Sequence, residues 1–508
     1  MKHRIRILCT SDIHGALFPH SYADGTPQNK GLARLKTLID SLRDENTILI
    51  ENGDTIEGSP LTLYHYMHHK QEPCPLSTGM QRMRYDYINV GNHDFNEGQE
   101  ALFTHLRETG ATCITHNFIY RGEPMGPQYI IHEAAGKKVA VFGLTTQHIP
   151  HWESESNLRG ARFTDAYETA KETLEILRSL PDPERPDYVV CVYHGGFERD
   201  PETGEFIQAD TGENEGYRMI CNLRGIDVLL TGHQHRVFCG TRYGTAYTQP
   251  GAHGEYIAKV DIDLYTGEIL PEVISVEAPP DEEILAIGQA EEEACQKWLD
   301  KVIGRTKIDL RIRDEDEARL NKSQLVTFLN MVQMETTGAD ISGAALFIGA
   351  SGFGEEITMR DLVSTYSFPN TLTVKEITGA VLRAYLEKCA EFWAVRDGAI
   401  TVNPRYDFPT PGHYNYDMLD GVEYTIKASN PEGARIVSLT RNGEEVKDDD
   451  IFSLVVNNYR AAGGGDFDMI REAPTVTEHQ TGMVEVIADY LRKHPVIDFE
   501  PVHNVRVI

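Results

Sequence analysis

Positive charge is scarce in this chain of 508 residues. Asp and Glu number 78 against 48 Lys and Arg, which gives a formal net charge of −30. A protein that binds nucleic acid polymers or anionic membranes without sequence preference needs a basic surface. The composition therefore argues against both kinds of partner. An anionic substrate would need positive charge from another source, and bound metal ions are the obvious one.

Paired cysteines and long apolar runs are also lacking. The eight cysteines show neither Cys-x-x-Cys spacing nor the spacing of a disulfide framework. The N-terminal residues pass from basic side chains directly into a strand-like run, without the apolar core and small-residue cleavage site of a signal peptide. We therefore expect reduced thiols, no membrane segment and a cytoplasmic location.

Short β-branched runs alternate with helical stretches in the first half of the chain, a pattern typical of layered α/β architecture. The expected strands there are Ile5–Thr10, Thr47–Asn52, Tyr87–Val90, Lys138–Leu144, Tyr188–Tyr193 and Val228–Thr231. For the second half we expect helices over Lys322–Gly338 and Thr378–Trp393, and strands over Val422–Lys427, Ala434–Arg441 and Phe452–Asn457.

A change of composition near Pro271 divides the chain. The turn signal Pro279-Pro280 is followed by an acidic helical stretch that ends at about Lys301. We therefore expect a first domain over residues 1–275, a linker helix over 276–303 and a second domain over 304–508.

Five of the expected strands in the first half end in polar clusters. Ligands gather at the carboxyl ends of strands in α/β folds. Carboxylates, imidazoles and an amide oxygen together suit a pair of divalent cations. The clusters offer seven candidate ligands: Asp12, His14, Asp54, Asn92, His194, His233 and His235.

The order of these clusters, Asp-x-His, Gly-Asp, Gly-Asn-His-Asp, His-Gly-Gly and Gly-His-x-His, resembles the calcineurin-like metallophosphoesterases. The second half extends the resemblance to the two-domain 5′-nucleotidase / 2′,3′-cyclic-nucleotide phosphodiesterase family. The resemblance implies an α/β fold: a four-layer metallophosphoesterase β-sandwich flanked by helices, followed by a C-terminal α+β 5′-nucleotidase-like domain.

The resemblance also implies two divalent metal ions that share Asp54. One ion would bind Asp12, His14, Asp54 and His235, and the other Asp54, Asn92, His194 and His233. Mn²⁺, Zn²⁺, Fe and Co²⁺ all tolerate this mixture of ligands, so the sequence leaves the metal open.

The chemistry implied is attack on phosphorus by a hydroxide that the metals generate. His93 lies beside a ligand without being one in the family pattern, and it would stabilise the transition state or protonate the leaving group. In the 5′-nucleotidase pattern an acid follows this histidine three positions on. Here Asn96 stands there, which can orient an imidazole but cannot stabilise its positive charge as a carboxylate does.

The run Val455–Phe467 resembles the base-binding segment of the family's C-terminal domain. Tyr459 occupies the position of an aromatic residue that stacks on the nucleobase, and Asn458 and Gly464 belong to the same run. The opposite face of the slot should come from His413–Gly421. The sequence leaves open whether Tyr414 or Tyr416 supplies it.

Departures from the 5′-nucleotidase pattern favour another branch of the family. In the 5′-nucleotidase pattern, a segment that contains an arginine grips the phosphate; here Ile341–Phe347 stands in its place. The position of the acid that holds the ribose diol is occupied by Gly465, and Asp466 is shifted by one. Three segments resemble the branch of 2′,3′-cyclic-nucleotide 2′-phosphodiesterases/3′-nucleotidases: Tyr366–Leu372, Asn415–Asp417 and Asn457–Ala461.

We therefore expect a two-metal enzyme that acts on a small-molecule nucleotide, with 2′,3′-cyclic nucleotides and 3′-nucleotides as substrates. One alternative is a 5′-nucleotidase or UDP-sugar hydrolase with the same centre, in which Arg360, Arg383 or Arg460 binds the phosphate. Another is a catalytically idle nucleotide-binding protein. The sequence does not indicate an oligomeric state.

Overall fold

A computed structural model describes residues 3–205, 211–366, 368, 370–407, 411–479 and 481–508. Ser367 and Pro369, two residues of the branch motif Tyr366–Leu372, lie outside the described residues. Within these ranges, no helix has both the length and the apolar character that crossing a membrane requires. The eight cysteines are free thiols.

Contacts divide the chain into two compact units, residues 1–295 and 296–508. The division falls inside the predicted linker helix, which the structure places at Glu282–Leu299. Before the division, this helix is fastened to the first unit, where His65 Nδ1 lies 2.9 Å from Glu291 Oε1. This part of the helix is thus a component of the first unit.

Two six-stranded sheets form the centre of the first unit. In spatial order, the strands of the first sheet are Ile269–Ser275, Tyr256–Asp263, Arg4–Thr10, Thr47–Glu51, Tyr87–Ile88 and Thr112–Cys113. Those of the second sheet are Val237–Arg242, Thr245–Pro250, Val228–Thr231, Tyr188–His194, Lys137–Thr145 and Ile130–Ala134. A smaller sheet contains Glu123–Pro124, Phe118–Tyr120 and Ala161–Phe163.

The main core of this unit lies between the two large sheets, because alternate residues of each strand face it. Ile5 and Ile7 of the first sheet and Val190 of the second belong to one cluster of fully buried side chains. The next residue, Cys191, belongs to a second cluster that includes side chains of the helix Ala166–Ser179. Strands buried on both faces show no polar alternation, and the predicted layered α/β class is confirmed.

The helices of the first unit flank these sheets. Asp165 Oδ1 accepts the backbone N–H of Glu168 at the start of the longest helix within this unit alone, a common N-terminal cap. The helices are Leu32–Leu42, Pro60–His68, Pro75–Met83, Gln99–Thr109, Ala166–Ser179, Gly216–Asn222 and most of Glu282–Leu299.

A five-stranded mixed sheet forms the centre of the second unit, which has the predicted α+β character. Its strands in spatial order are Asp417–Asp420, Ile341–Ala345, Ile451–Asn457, Leu372–Thr378 and Thr475–His479. The helices are Glu315–Leu320, Gln324–Thr337, Met359–Thr365, Gly379–Ala390, Asn458–Ala461, Asp468–Arg471 and Met483–Lys493.

Smaller sheets complete the second unit. One contains Glu356–Thr358, Val302–Thr306 and Val496–Ile497, and another Glu444–Glu445, Ile436–Arg441, Glu423–Ile426 and Val505–Val507. Two strand pairs are Leu310–Arg311 with Gly352–Phe353 and Trp393–Arg396 with Ala399–Val402.

Candidate metal centre

All seven predicted metal ligands lie at or just after the ends of strands in the two large sheets. Arg4–Thr10, Thr47–Glu51 and Tyr87–Ile88 are parallel neighbours in the first sheet, so their carboxyl ends open at one edge. Tyr188–His194 and Val228–Thr231 are parallel neighbours in the second sheet. The side chains that follow these five strand ends meet in two groups of possible metal ligands.

The first group consists of Asp12, His14 and His235. The Nε2 atoms of the two histidines lie 3.0 Å apart, and His235 Nε2 is 3.4 Å from Asp12 Oδ1. Asp12 and His14 are buried, whereas the side chain of His235 is 42% exposed. One carboxylate and two imidazoles form a donor set that suits a borderline divalent cation.

The second group consists of Asp54, His194 and His233, with the side-chain amide of Asn92 among them. His194 Nε2 lies 3.2 Å from Asp54 Oδ2 and 3.3 Å from Asn92 Oδ1. His233 Nδ1 lies 2.8 Å from the same Asn92 oxygen. The amide oxygen of Asn92 therefore faces both imidazoles, as it would if all three side chains bound the same cation.

Asp54 connects the two groups. Its Oδ1 accepts the backbone N–H of His93 at 2.7 Å. Its buried Oδ2 makes no hydrogen bond within the described part of the chain, although it lies 3.2 Å from His194 Nε2 and 4.0 Å from His14 Nε2. A buried carboxylate oxygen without a hydrogen bond costs free energy, which bound cations would remove. The residues present thus fit a centre for two cations that share Asp54.

Hydrogen bonds fix the ring nitrogens on the far side of three of the four candidate imidazole ligands. His14 Nδ1 lies 3.1 Å from the carbonyl oxygen of Glu57, and His194 Nδ1 lies 2.6 Å from another backbone carbonyl oxygen. Because carbonyl oxygens only accept, each neutral ring carries its hydrogen on Nδ1 and keeps a lone pair on Nε2 for a metal. In His233 the two nitrogens exchange roles: Nε2 lies 2.9 Å from Glu213 Oε1 and carries the hydrogen, which leaves the lone pair of Nδ1 for a metal.

The backbone at the ligands is held in an unfavourable conformation. Five of the seven candidates have φ between 49° and 69°, the left-handed region: Asp12, His14, Asp54, His233 and His235. A residue other than glycine in such a conformation costs about 1–3 kcal/mol and clusters at functional sites. The fold therefore enforces the positions of these side chains at the expense of local stability.

Glycines let the loop backbones approach the carboxylates. A Cβ on Gly91 would lie 2.2 Å from Asp54 Oδ1, and one on Gly232 would lie 2.6 Å from Asp12 Oδ2. No side chain fits at either distance. The Gly residues of the sequence pattern are thus required by the close packing of the loops.

Asp94 is a structural residue of the centre to which the sequence analysis gave no role. Its buried Oδ2 accepts the backbone N–H groups of Asp54 at 3.0 Å and Gly91 at 2.8 Å, and its Oδ1 accepts that of Thr55 at 2.8 Å. It thereby ties two ligand loops together. Its place in the Gly-Asn-His-Asp cluster was the available signal. Glu57 and Glu213, also missed, carried no signal in their spacing.

His93 lies at the edge of the centre, where the prediction of a catalytic role requires it. Its ring is edge-to-face with that of His14, with centroids 5.3 Å apart. Its Nδ1 lies 2.7 Å from Asn96 Oδ1 and 3.4 Å from Glu57 Oε2. Burial works to lower the pKa of His93, but the charges of Asp54 and Glu57 outweigh it, so the pKa is raised.

Charge at the centre shifts the pKa of the candidate ligands themselves. Burial works to raise the pKa of Asp54, but the charges of His194 and His93 hold it well below its usual value. Burial works to lower the pKa of His194, but the Asp54 carboxylate raises it to about 10. A cation that binds here must therefore displace a proton from His194.

The predicted base-stacking residues Tyr459 and Tyr414 are neighbours in the second unit. Their ring centroids lie 6.0 Å apart at an interplanar angle of 74°, so the rings meet edge to face and not as two parallel walls. Gly464 packs on the Tyr459 ring, since a Cβ there would lie 2.4 Å from its Cζ. Phe368 adds a third ring, 6.4 Å from that of Tyr414.

The expectation that Tyr416 could stack on a base is wrong. Its side chain is fully buried and stacks on Phe392, with ring centroids 4.8 Å apart at 14°. A base has no access to it. Of the two tyrosines left open by the sequence, only Tyr414 is placed to meet a ligand.

The expectation that Arg460 could bind phosphate is also wrong. The residue is 1% exposed, and its guanidinium donates to Asp417 Oδ2 at 2.5 Å and to the carbonyl oxygen of Tyr414 at 3.2 Å. Asn458 Oδ1 accepts the backbone N–H of Thr371 at 3.0 Å. Both residues hold neighbouring segments in place around the two tyrosines.

Comparison with known proteins identifies relatives of both units. The family model of calcineurin-like phosphoesterases matches residues 5–237, and that of the 5′-nucleotidase C-terminal domain matches residues 302–472. The 2′,3′-cyclic-nucleotide 2′-phosphodiesterase/3′-nucleotidase of Salmonella typhimurium is 27% identical over 91% of this chain and 81% of its own length.

Two further relatives extend the comparison. The trifunctional nucleotide phosphoesterase protein YfkN of Bacillus subtilis is 23% identical over 96% of this chain, but the chain spans only 38% of that protein. A candidate 5′-nucleotidase from Staphylococcus aureus, whose crystal structure contains α-ketoglutarate, is 32% identical with a TM-score of 0.92 over 99% of both chains.

We expect Gly91→Ala to disrupt metal binding, because the new Cβ would displace the Asp54 carboxylate. The metal content by elemental analysis should fall from about two ions per chain to about one or fewer. Gly482→Ala is the matched control, since nothing lies within 4 Å of a Cβ at that position. A Gly91→Ala protein with its full metal content would show that the carboxylate does not bind metal.

We expect metal binding to strengthen as pH rises, because the cation displaces the proton that Asp54 favours on His194. Below a pKa of about 10, each pH unit should raise the apparent affinity for Mn²⁺ about tenfold per displaced proton. Calorimetric titrations in buffers with different ionisation enthalpies measure both the affinity and the protons released. An affinity that is unchanged between about pH 6 and about pH 8 would contradict this expectation.

Proposed function

The chain belongs to the calcineurin-like phosphoesterases that carry a 5′-nucleotidase C-terminal domain, and we propose that its substrates are 2′,3′-cyclic nucleotides and 3′-nucleotides. Membership makes the chain a phosphoric ester hydrolase that acts on nucleotides. The observation that supports the hydrolytic chemistry is Asp54 Oδ2, a buried oxygen that makes no hydrogen bond to the described residues and lies between two groups of ligand atoms.

We propose the ligand assignment that the sequence predicts. Asp12, His14 and His235 would hold one divalent cation, and Asn92, His194 and His233 the other, with Asp54 between them. When bound, the cations would supply positive charge to phosphate oxygens and lower the pKa of a water molecule. This meets the need for local positive charge in a chain with a formal net charge of −30.

His93 is the proposed proton donor. Its imidazolium can bind a phosphate oxygen or give a proton to the departing ribose oxygen, which otherwise leaves as an alkoxide. Asn96 accepts a hydrogen bond from Nδ1 at 2.7 Å, so the proton available for transfer is on Nε2. Burial raises the pKa of Glu57 to about 7, and its ionised carboxylate, 3.4 Å from Nδ1, would supply the negative charge that Asn96 lacks.

The preference for 2′,3′-cyclic substrates rests on the missing ribose clamp. Gly465 has φ of 77°, and a Cβ there would lie 2.2 Å from Asn415 Oδ1, so no acid fits at this position. The next residue, Asp466, is 67% exposed and lies 3.7 Å from Lys388 Nζ. A ligand whose 2′ and 3′ oxygens carry phosphate does not need a carboxylate to bind its diol. The name of the Salmonella relative supports the same substrate class.

A 5′-nucleotidase activity is the second candidate, favoured by the name of the Staphylococcus aureus relative. Of the arginines that could bind a 5′-phosphate, Arg460 is buried, and Arg360 Nη2 lies 2.7 Å from Asp300 Oδ1. The phosphate would therefore compete with a carboxylate for Arg360. Arg360 and Arg460 thus give the second candidate little support, and Arg383 is the remaining one of the three arginines.

A substrate panel on protein reconstituted with Mn²⁺ tests the proposal. We expect kcat/KM for 2′,3′-cyclic AMP and 3′-AMP to exceed that for 5′-AMP by about tenfold or more, equivalent to about 1.4 kcal/mol of transition-state binding. Metal-stripped protein is the control and should be inactive on all three. A preference for 5′-AMP or UDP-glucose would replace the proposal with the second candidate.

We expect His93→Ala to separate chemistry from metal binding. The bond from residue 93 to Asp54 Oδ1 comes from the backbone N–H, so the variant should keep its metals. Loss of the imidazole should lower kcat by about 10²–10⁴-fold. Asp54→Ala should lose metal and turnover together. If His93→Ala lost its metal as well, its proposed role would be misassigned.

A further inference from the structure

The amide of Asn96 is a reversible contact for His93. The amide offers an acceptor, Oδ1, to His93 Nδ1 at 2.7 Å. Rotated by half a turn about its last side-chain bond, it would offer the donor Nδ2 in the same place. A carboxylate has no such ambiguity. Whatever fixes the orientation of this amide therefore decides which ring nitrogen of His93 carries the hydrogen.

Glu153 fixes that orientation. Its Oε2 lies 2.7 Å from Asn96 Nδ2, and an ionised carboxylate only accepts. Its Oε1 accepts the backbone N–H of Ser154 at 2.6 Å and a side-chain N–H of Asn157 at 3.1 Å. Glu153 is 8% exposed, so water does not replace these contacts readily. Asn96 must turn its Nδ2 to Glu153 and its Oδ1 to His93.

Glu57 acts in the same sense from another loop. Its carboxylate Oε2 lies 3.4 Å from His93 Nδ1, and Glu57 is also 8% exposed. Asn96 Oδ1 and the ionised Glu57 carboxylate are thus both acceptors at Nδ1. A neutral His93 ring therefore carries its hydrogen on Nδ1, which leaves the lone pair on Nε2.

We propose that Glu153 is a positioning residue that acts through Asn96 to hold the imidazole of His93 with its hydrogen on Nδ1. The role of His93 in turnover rests on the function proposed above, but its hydrogen-bonded state does not. The proton that His93 exchanges with the substrate then enters and leaves at Nε2 alone.

Glu153→Gln gives a test with little change in shape. Ser154 and Asn157 still require an acceptor, so the introduced amide keeps its oxygen there and turns its NH₂ toward Asn96. The amide of Asn96 must then reverse and offer Nδ2 to His93 Nδ1. We expect the hydrogen of the neutral His93 ring to move to Nε2 and kcat to fall about tenfold or more, with KM within about threefold.

The double variant that combines Asn96→Asp with Glu153→Gln should reverse this effect. The new carboxylate at position 96 would accept from the introduced NH₂ at position 153 on one side and from His93 Nδ1 on the other, which restores the original direction of the bond to His93. We expect it to recover most of the kcat lost in Glu153→Gln. Asn96→Asp alone should not have the kcat of the double variant, because it places two carboxylates against each other. In the wild type, Asn96 Nδ2 and Glu153 Oε2 lie 2.7 Å apart at this point.

Long-range ¹H–¹⁵N spectra of metal-free protein labelled at histidine measure the tautomer directly. The His93 signal is the one lost in His93→Ala, and the exposed Glu155→Gln is the matched control. A hydrogen on Nδ1 in the wild type and on Nε2 in Glu153→Gln would support the proposal. A hydrogen that stays on Nδ1 in Glu153→Gln, or a kcat loss that the double variant does not repair, would overturn it.

This measurement separates the inference from the proposed function. Because it needs neither metal nor substrate, a protein that is inactive on cyclic nucleotides would refute the function while the tautomer still tests Glu153. Conversely, if the enzyme were active and the His93 tautomer were the same in the wild type and in Glu153→Gln, the function would stand and the inference would be refuted.

Discussion

The centre depends on one buried carboxylate. Asp54 presents one oxygen to a backbone N–H, and its other oxygen makes no hydrogen bond to the described residues and lies between two clusters of imidazole and carboxylate atoms. Such an arrangement is unfavourable in an empty protein interior, and the left-handed backbone at five of the candidate ligands adds to the cost. The two large sheets supply the stability that offsets it, because their central strands are buried on both faces and end at the loops of the centre.

The strands and the ligands were predictable for the same physical reason. A buried strand is an apolar run, and its end is marked by the polar residues that follow, so Val228–Thr231 has the same bounds in the sequence analysis and in the structure. The strand expected at Tyr87–Val90 ends at Ile88. Asn89 still donates its backbone N–H to the carbonyl oxygen of Glu51 at 2.8 Å. Its side chain donates to Asn52 Oδ1 at 3.0 Å, a contact between distant segments that a local pattern does not contain.

The supporting carboxylates could not be predicted, because their roles depend on contacts between loops. Glu153 reaches Asn96 across 57 positions of sequence, and Glu213 reaches His233 across 20. Neither lies in a recognisable motif. Tyr416 was ambiguous for a related reason. It follows a short 3₁₀ helix, His413–Asn415, where neither helical nor strand periodicity indicates which of two nearby tyrosines turns inward.

Asn96 stands where the 5′-nucleotidase pattern has an acid beside the histidine. A histidine paired directly with a carboxylate gains charge and orientation from one residue. In the arrangement we propose, the two are divided: the Glu57 carboxylate, 3.4 Å from His93 Nδ1, would supply negative charge, and Asn96 would supply orientation, which it receives from Glu153. A missing acid in a motif therefore does not imply a missing electrostatic partner. The partner is found by following the hydrogen bonds outward from the imidazole, because in a buried site each donor must end on an acceptor.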